Sequence, residues 1–232
     1  MDIIIMTYKH SICFSGSGFH YPWQIGVALY LQEHYDLSEC CFLGTSGGSY
    51  VAAILAVELS VREYIRTVVK ESYAVFNQHF LGLYLIYHRV LKGIHLHSLP
   101  KEIFNKANGI LVISITPCRS FLKNRIINRF ISNEDLFDAI CTSSQIPFML
   151  SPSFFYKFRG ERCLDGGLTY KWLRIDDDTI MISPYQWSKM RYFYALTGVL
   201  CSSEHNYYRL VQRGYDDAKA NDAYFCKLSK KS

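Results

Sequence analysis

Charge is what this sequence has least of. Asp, Glu, Lys and Arg together make 19% of its 232 residues, against roughly 25% in an average soluble domain. Other absences narrow the field further. Pro/Gly/Ser-rich linkers and internal repeats are missing, which argues for one domain over residues 1–232 and against a solenoid. The eight cysteines form no C-x-x-C pair and no zinc spacing, so they read as small buried hydrophobes. A Gly-Lys-Ser/Thr phosphate loop is absent. Basic residues cluster only at Lys227, Lys230 and Lys231, which read as a solvated tail or a weak attraction to anionic lipid. Nucleic acid has no motif to support it. The first ten residues carry no basic leader and too short an apolar run for a secretory signal, so the expected location is cytoplasmic.

Long uncharged runs are present, at 40–57 and 139–156. Neither reads as a membrane span: the first has Gly44-Thr45-Ser46-Gly47-Gly48-Ser49 at its centre, and the second holds Ser143-Ser144-Gln145, Pro147 and Pro152. Hydrophobic residues make half of the chain, with 18 Tyr and 15 Phe, enough to drive folding and to leave apolar surface with a use.

Strand, glycine turn and helix occur twice in succession. Ser11–Phe14 leads through Ser15-Gly16-Ser17-Gly18 into a helix over 23–34, and Cys40–Leu43 leads through Gly44–Gly48 into a buried helix over 50–58. This alternation predicts an α/β layered sheet with its functional loops at the strand C-termini. Residues 63–91 read as helical, with Tyr73, Phe76, Phe80, Tyr84 and Tyr87 in a stripe that either packs on the sheet or faces lipid. Residues 110–115 read as a strand stopped by Thr116-Pro117, and Asn133-Glu134-Asp135 as a helix start. Beyond Tyr192 the chain reads as an amphipathic helix.

Gly44-Thr45-Ser46-Gly47-Gly48 fits G-x-S-x-G at a strand-to-helix junction, the setting of a nucleophile elbow. Such a turn strains its serine and crowds the positions two residues either side, hence the glycines. The earlier turn leaves consecutive small residues whose backbone N–H groups suit an anion. Tyr21 stands where a dinucleotide fingerprint needs its third glycine. Asp165 ends a short apolar run in Asp165-Gly166-Gly167 and supplies a carboxylate that can act as base. Alone, that turn equally suits a hairpin.

Together, Gly16-Ser17-Gly18, Gly44-Thr45-Ser46-Gly47-Gly48 and Asp165-Gly166-Gly167 resemble the patatin-like phospholipase family. Phe14–Phe19 with Gly26-Val27-Ala28-Leu29, and Ala139–Phe148, are similar to its animal-type branch. The likeness covers roughly 10–185 as a catalytic core, leaving 186–232 as a C-terminal helical extension. It implies a three-layer α/β/α fold with a mixed central sheet and a Ser46–Asp165 dyad. Gly16, Ser17 and Gly18 take the oxyanion-hole positions, Gly44, Gly47 and Gly48 the elbow, and Gly166 and Gly167 the aspartate turn. Where plant and bacterial members carry a basic residue, this chain has Phe19-His20-Tyr21.

The implied activity is metal-independent and cofactor-free lipid acyl hydrolysis of the phospholipase A or lysophospholipase type through an acyl-enzyme. The implied partner is a lipid substrate met at a membrane or droplet surface. Triacylglycerol hydrolysis and acyl transfer are alternatives on the same dyad, and an inactive lipid-binding protein is the alternative of another class. A Ser46-Asp165-His205 triad is formally available. His95 and His97 lack a third metal ligand, and Asp176-Asp177-Asp178 reads as a solvated turn.

Overall fold

A computed structural model describes residues 8–78, 87–120, 123–169, 173–187 and 203–231. Its strands are β1 (His10–Phe14), β2 (Cys40–Thr45), β3 (Leu111–Pro117), β4 (Arg125–Ile127), β5 (Tyr156–Phe158), β6 (Glu161–Leu164) and β7 (Ile180–Ile182). The helices are α1 (Tyr21–His34), α2 (Gly47–Ala56), α3 (Val61–Tyr64), α4 (Lys70–Phe76), α5 (Tyr87–Ser98), α6 (Phe104–Ala107), α7 (Asn133–Ser143) and α8 (Glu204–Ala220).

One mixed sheet runs β5-β6-β3-β2-β1-β7, with β4 pairing β3. The pairs β1–β2, β1–β7 and β2–β3 are parallel, whereas β4 and β6 run antiparallel to β3. Helices flank this sheet, giving the expected three layers. β1, β2 and β3 are buried along nearly their whole length, which is why they read as continuous apolar runs without alternation.

Register carries the three glycine turns to one place. The parallel pair β1–β2 sets Phe14 opposite Gly44, so the turns that follow both strands emerge at the same sheet edge. β2 sets Thr45 opposite Ser114 on β3, and β6 returns along β3 with Leu164 opposite Thr116. The residues after Thr45 and Leu164 are Ser46 and Asp165.

Several expectations need correction. β3 continues through Pro117, whose missing N–H is tolerable at the last paired position, opposite Cys163. The 63–91 segment is not one helix. α3 passes into a wider π-type turn over Ile65–Val69 before α4, within the β-branched run Ile65-Arg66-Thr67-Val68-Val69, and Thr67 Oγ1 donates to the Glu63 carbonyl at 2.7 Å. Tyr73, Phe76 and Tyr87 are buried in the main core, the packing alternative for this stripe; Phe80 and Tyr84 lie outside the described residues.

The basic cluster keeps its side chains exposed, as a solvated segment does, but its backbone is docked on the fold. The Asp36 N–H donates to the Ser229 carbonyl and Lys231 N–H to the His34 carbonyl, while Lys230 pairs with Asp222 at 2.8 Å. Lys230 and the hydroxyls of Tyr35 and Tyr30 hold the Asp222 carboxyl well below the usual carboxylate range. Among the described residues no helix is long and apolar enough to cross a membrane.

α8 lies directly on α1. A Cβ at Gly26 would stand 1.9 Å from the Val211 carbonyl oxygen, and one at Gly214 the same distance from that of Trp23. The helices therefore touch backbone to backbone, each with a glycine at the other's carbonyl. Trp23 Nε1 donates to Asp217 at 2.7 Å beside this crossing.

Candidate active site

Ser46 occupies the junction between β2 and α2 with φ 53° and ψ −131°, a conformation few non-glycine residues hold without support. The support is tight. A Cβ at Gly44 would lie 2.5 Å from the Cα of Ser49, and one at Gly48 2.2 Å from the Phe14 carbonyl oxygen, so both positions exclude a side chain. The Ser46 N–H donates to Ser143 Oγ at 2.9 Å, and Ser49 Oγ donates to the Ser46 carbonyl at 2.6 Å.

Ser46 Oγ donates to Asp165 Oδ2 at 2.6 Å. The other carboxylate oxygen accepts the Gly167 N–H at 2.7 Å, and Thr116 Oγ1 donates to the Asp165 carbonyl at 2.8 Å. Gly166 is needed where the aspartate turn meets β3, since a Cβ there would be 2.0 Å from the Ser114 carbonyl oxygen. Burial raises the Asp165 carboxyl from 3.8 to about 6, against the lowering effect of the bonds from Ser46 and Gly167. The carboxylate is thus a stronger base than an exposed one and still ionised at neutral pH.

The Gly16-Ser17-Gly18 turn packs on the elbow. A Cβ at Gly16 would meet that of Ser46 at 3.6 Å, and one at Gly47 would meet Ser17 Oγ at 2.7 Å. Buried Gln24 holds this turn: its Nε2 donates to the carbonyls of Ser15 and Ile182, and its Oε1 accepts from Ser17 Oγ at 2.8 Å. Every site residue expected from sequence therefore falls in one constellation. Ser143, Gln24 and Thr116, which hold it in place, were not anticipated. Each is a buried polar residue, and only burial could have flagged them.

His205 is exposed in the first turn of α8, and both carboxylate oxygens of Asp165 are already engaged. His88 is buried on α5, with Nε2 3.1 Å from Ser144 Oγ, and burial lowers it to about 3, so it stays neutral. The side chains of His95 and His97 lie outside the described residues. Asp178 pairs with Lys227 at the surface. Burial raises the thiols of Cys13, Cys40 and Cys141 to about 12 and those of Cys41 and Cys163 to about 11, leaving them as inert core groups.

Beside Ser46 a cleft of about 300 Å³, part of it open to solvent, is walled by Phe19, Tyr21, Tyr50, Tyr87, Ile146 and Leu150. Its apolar walls suit a hydrocarbon chain.

A family model for patatin-like phospholipase matches residues 12–171. Omega-hydroxyceramide transacylase from Mus musculus is 29% identical over 172 residues, covering 69% of this chain and 27% of that protein. Patatin-like phospholipase domain-containing protein 2 from the same species is 30% identical over 187 residues, covering 76% and 37%. Patatin-like phospholipase domain-containing protein 4 from Homo sapiens is 28% identical over 171 residues, covering 69% and 66%. The chain thus spans well under half the length of the first two.

Proposed function

This chain belongs to the patatin-like phospholipase family, and from that premise we propose that it is a serine acyl hydrolase of lipids, working through Ser46 and Asp165 within one domain. The observation that carries the reading is the 2.6 Å bond from a strained, buried serine to a carboxylate whose ionisation burial displaces to about 6.

Ser46 Oγ attacks the ester carbonyl while its proton passes to Asp165 Oδ2. The oxyanion that forms is met by backbone N–H groups of the Gly16–Gly18 turn and by the N-terminus of α2. Collapse expels the alcohol, which takes the proton from Asp165, and leaves an acyl group on Ser46. Water then attacks the acyl-enzyme with Asp165 again as base, releasing the fatty acid. Phospholipid or lysophospholipid is the preferred substrate class, met peripherally at a membrane or droplet surface from the cytosol.

A fluorophosphonate probe should label the wild-type protein at Ser46, and Ser46→Ala and Asp165→Asn should each lose fatty-acid release. Undiminished hydrolysis by a folded Ser46→Ala protein would refute the assignment. A second reading, transfer of the acyl group to a lipid hydroxyl, draws on the relative named omega-hydroxyceramide transacylase. Adding a lipid alcohol acceptor separates the two: transfer yields a new ester in place of free fatty acid.

A further inference from the structure

Tyr50 stands on α2 one helical turn beyond Ser46, on the same face of the helix. Its ring is buried and belongs to two cavities. One is the cleft beside Ser46. The other, about 320 Å³ and partly open to solvent, lies among Ala53, Ile54, Val57, Leu99, Leu136 and Ile140. Every described side chain on that second wall other than Tyr50 is a hydrocarbon. An apolar lining of this kind favours apolar groups over water.

The Tyr50 ring is wedged in place. Its centroid lies 6.1 Å from that of Tyr21 and 6.1 Å from that of Tyr87, both of which also wall the first cleft. Its hydroxyl is 3.9 Å from Cys141 Sγ. Tilted and edge-on aromatic packing of this sort favours a fixed ring, so Tyr50 is a fixed part of the wall of both cavities.

We infer that Tyr50 sets the length of acyl chain this site accepts, by closing off the second cavity as an unused extension of the first. The inference rests on Ser46 being the nucleophile. At about 30 Å³ for each water-sized group, a space of about 300 Å³ counted with its opening to solvent holds at most on the order of ten non-hydrogen atoms. Removing the ring would join the two spaces and raise that ceiling.

The test compares butanoyl, octanoyl, dodecanoyl and hexadecanoyl p-nitrophenyl esters, presented at fixed detergent, on wild type, Tyr50→Ala, Tyr50→Leu and Tyr50→Phe. Burying one more methylene raises kcat/KM by about fourfold while the chain still gains contact. Wild type should climb to about the octanoyl ester and then fall. Tyr50→Ala should keep climbing, with its hexadecanoyl-to-octanoyl ratio at least tenfold above that of wild type. Tyr50→Leu, which keeps a core side chain, should move the same way if Tyr50→Ala fails to fold, and Tyr50→Phe should keep the wild-type profile. Adding Ala53→Leu to Tyr50→Ala refills the second cavity and should restore the short-chain preference.

Ser46-dependent turnover of the hexadecanoyl ester by wild type at the octanoyl rate, or an unchanged profile in both Tyr50→Ala and Tyr50→Leu, overturns the inference alone. Absent turnover in wild type, or turnover that persists in Ser46→Ala, overturns the nucleophile assignment and the inference with it.

Discussion

Replacing Asp165 by asparagine should abolish turnover and at the same time make the protein more stable. Asparagine has the shape of the carboxylate, can accept the Gly167 N–H as Asp165 Oδ1 does, and can donate to Ser46 Oγ where Oδ2 accepts. What it removes is a charge that burial opposes. Displacing an ionisation from 3.8 to about 6 corresponds to about 3 kcal/mol, at about 1.4 kcal/mol per pH unit. The sign follows from proton counting. Below about pH 4 the wild-type carboxyl is protonated in both folded and unfolded chains, and no penalty exists. As pH rises, the unfolded chain ionises first, so folding loses stability until the folded carboxyl also ionises near pH 6.

Asp165→Asn avoids that loss. Urea unfolding of both proteins between about pH 4 and pH 8 should therefore give curves that nearly coincide at the acid end and separate by up to about 3 kcal/mol above pH 6. A variant no more stable than wild type at pH 8, or a difference that does not shrink on acidification, would show that burial does not oppose this charge.

Two further outcomes are expected. In the proposed mechanism Asp165 must be ionised to take the Ser46 proton, so kcat/KM should fall tenfold per pH unit below about 6; an acid limb near pH 4 would point to a different base or an unburied one. Gly214→Ala should lower the melting temperature. Alanine is the better helix former by about 1 kcal/mol, but its Cβ would sit 1.9 Å from the Trp23 carbonyl oxygen. Overpacking against backbone should cost about 2 kcal/mol or more net, and calorimetry showing an equal or higher melting temperature would exclude the close crossing.

Sequence and structure agree where the chain signals through local chemistry. Glycines around Ser46 announce a turn that admits no side chain, and the same holds for the turns at Gly16–Gly18 and Asp165–Gly167. β1 and β2 are legible as apolar runs because both faces are covered. The remainder depends on approach between distant segments. Ser143 looks like one more small residue at a helix end until α7 sets it against the Ser46 N–H. Gln24 looks like a surface position until α1 turns it toward Ser15 and Ile182. The antiparallel return of β6 along β3, which delivers Asp165, has no marker in either strand, since register is settled by pairing. Lys230 and Lys231 are exposed, as their charge suggests, but nothing in the sequence marks the backbone bond from Lys231 N–H to the His34 carbonyl that docks this segment.

The crossing of α1 and α8 has a mechanical meaning. Helices that meet through long side chains can slide or tilt while rotamers adjust, and part of any movement is absorbed between them. Gly26 and Gly214 leave nothing to absorb it, since peptide group rests on peptide group. α1 starts at Tyr21, three residues beyond the glycine that ends the turn against Ser46. A displacement of α8 is therefore delivered along a stiff rod to the amides of that turn. α8 stands apart from the Ser46–Asp165 pair, yet it works as the anvil against which the site is held true.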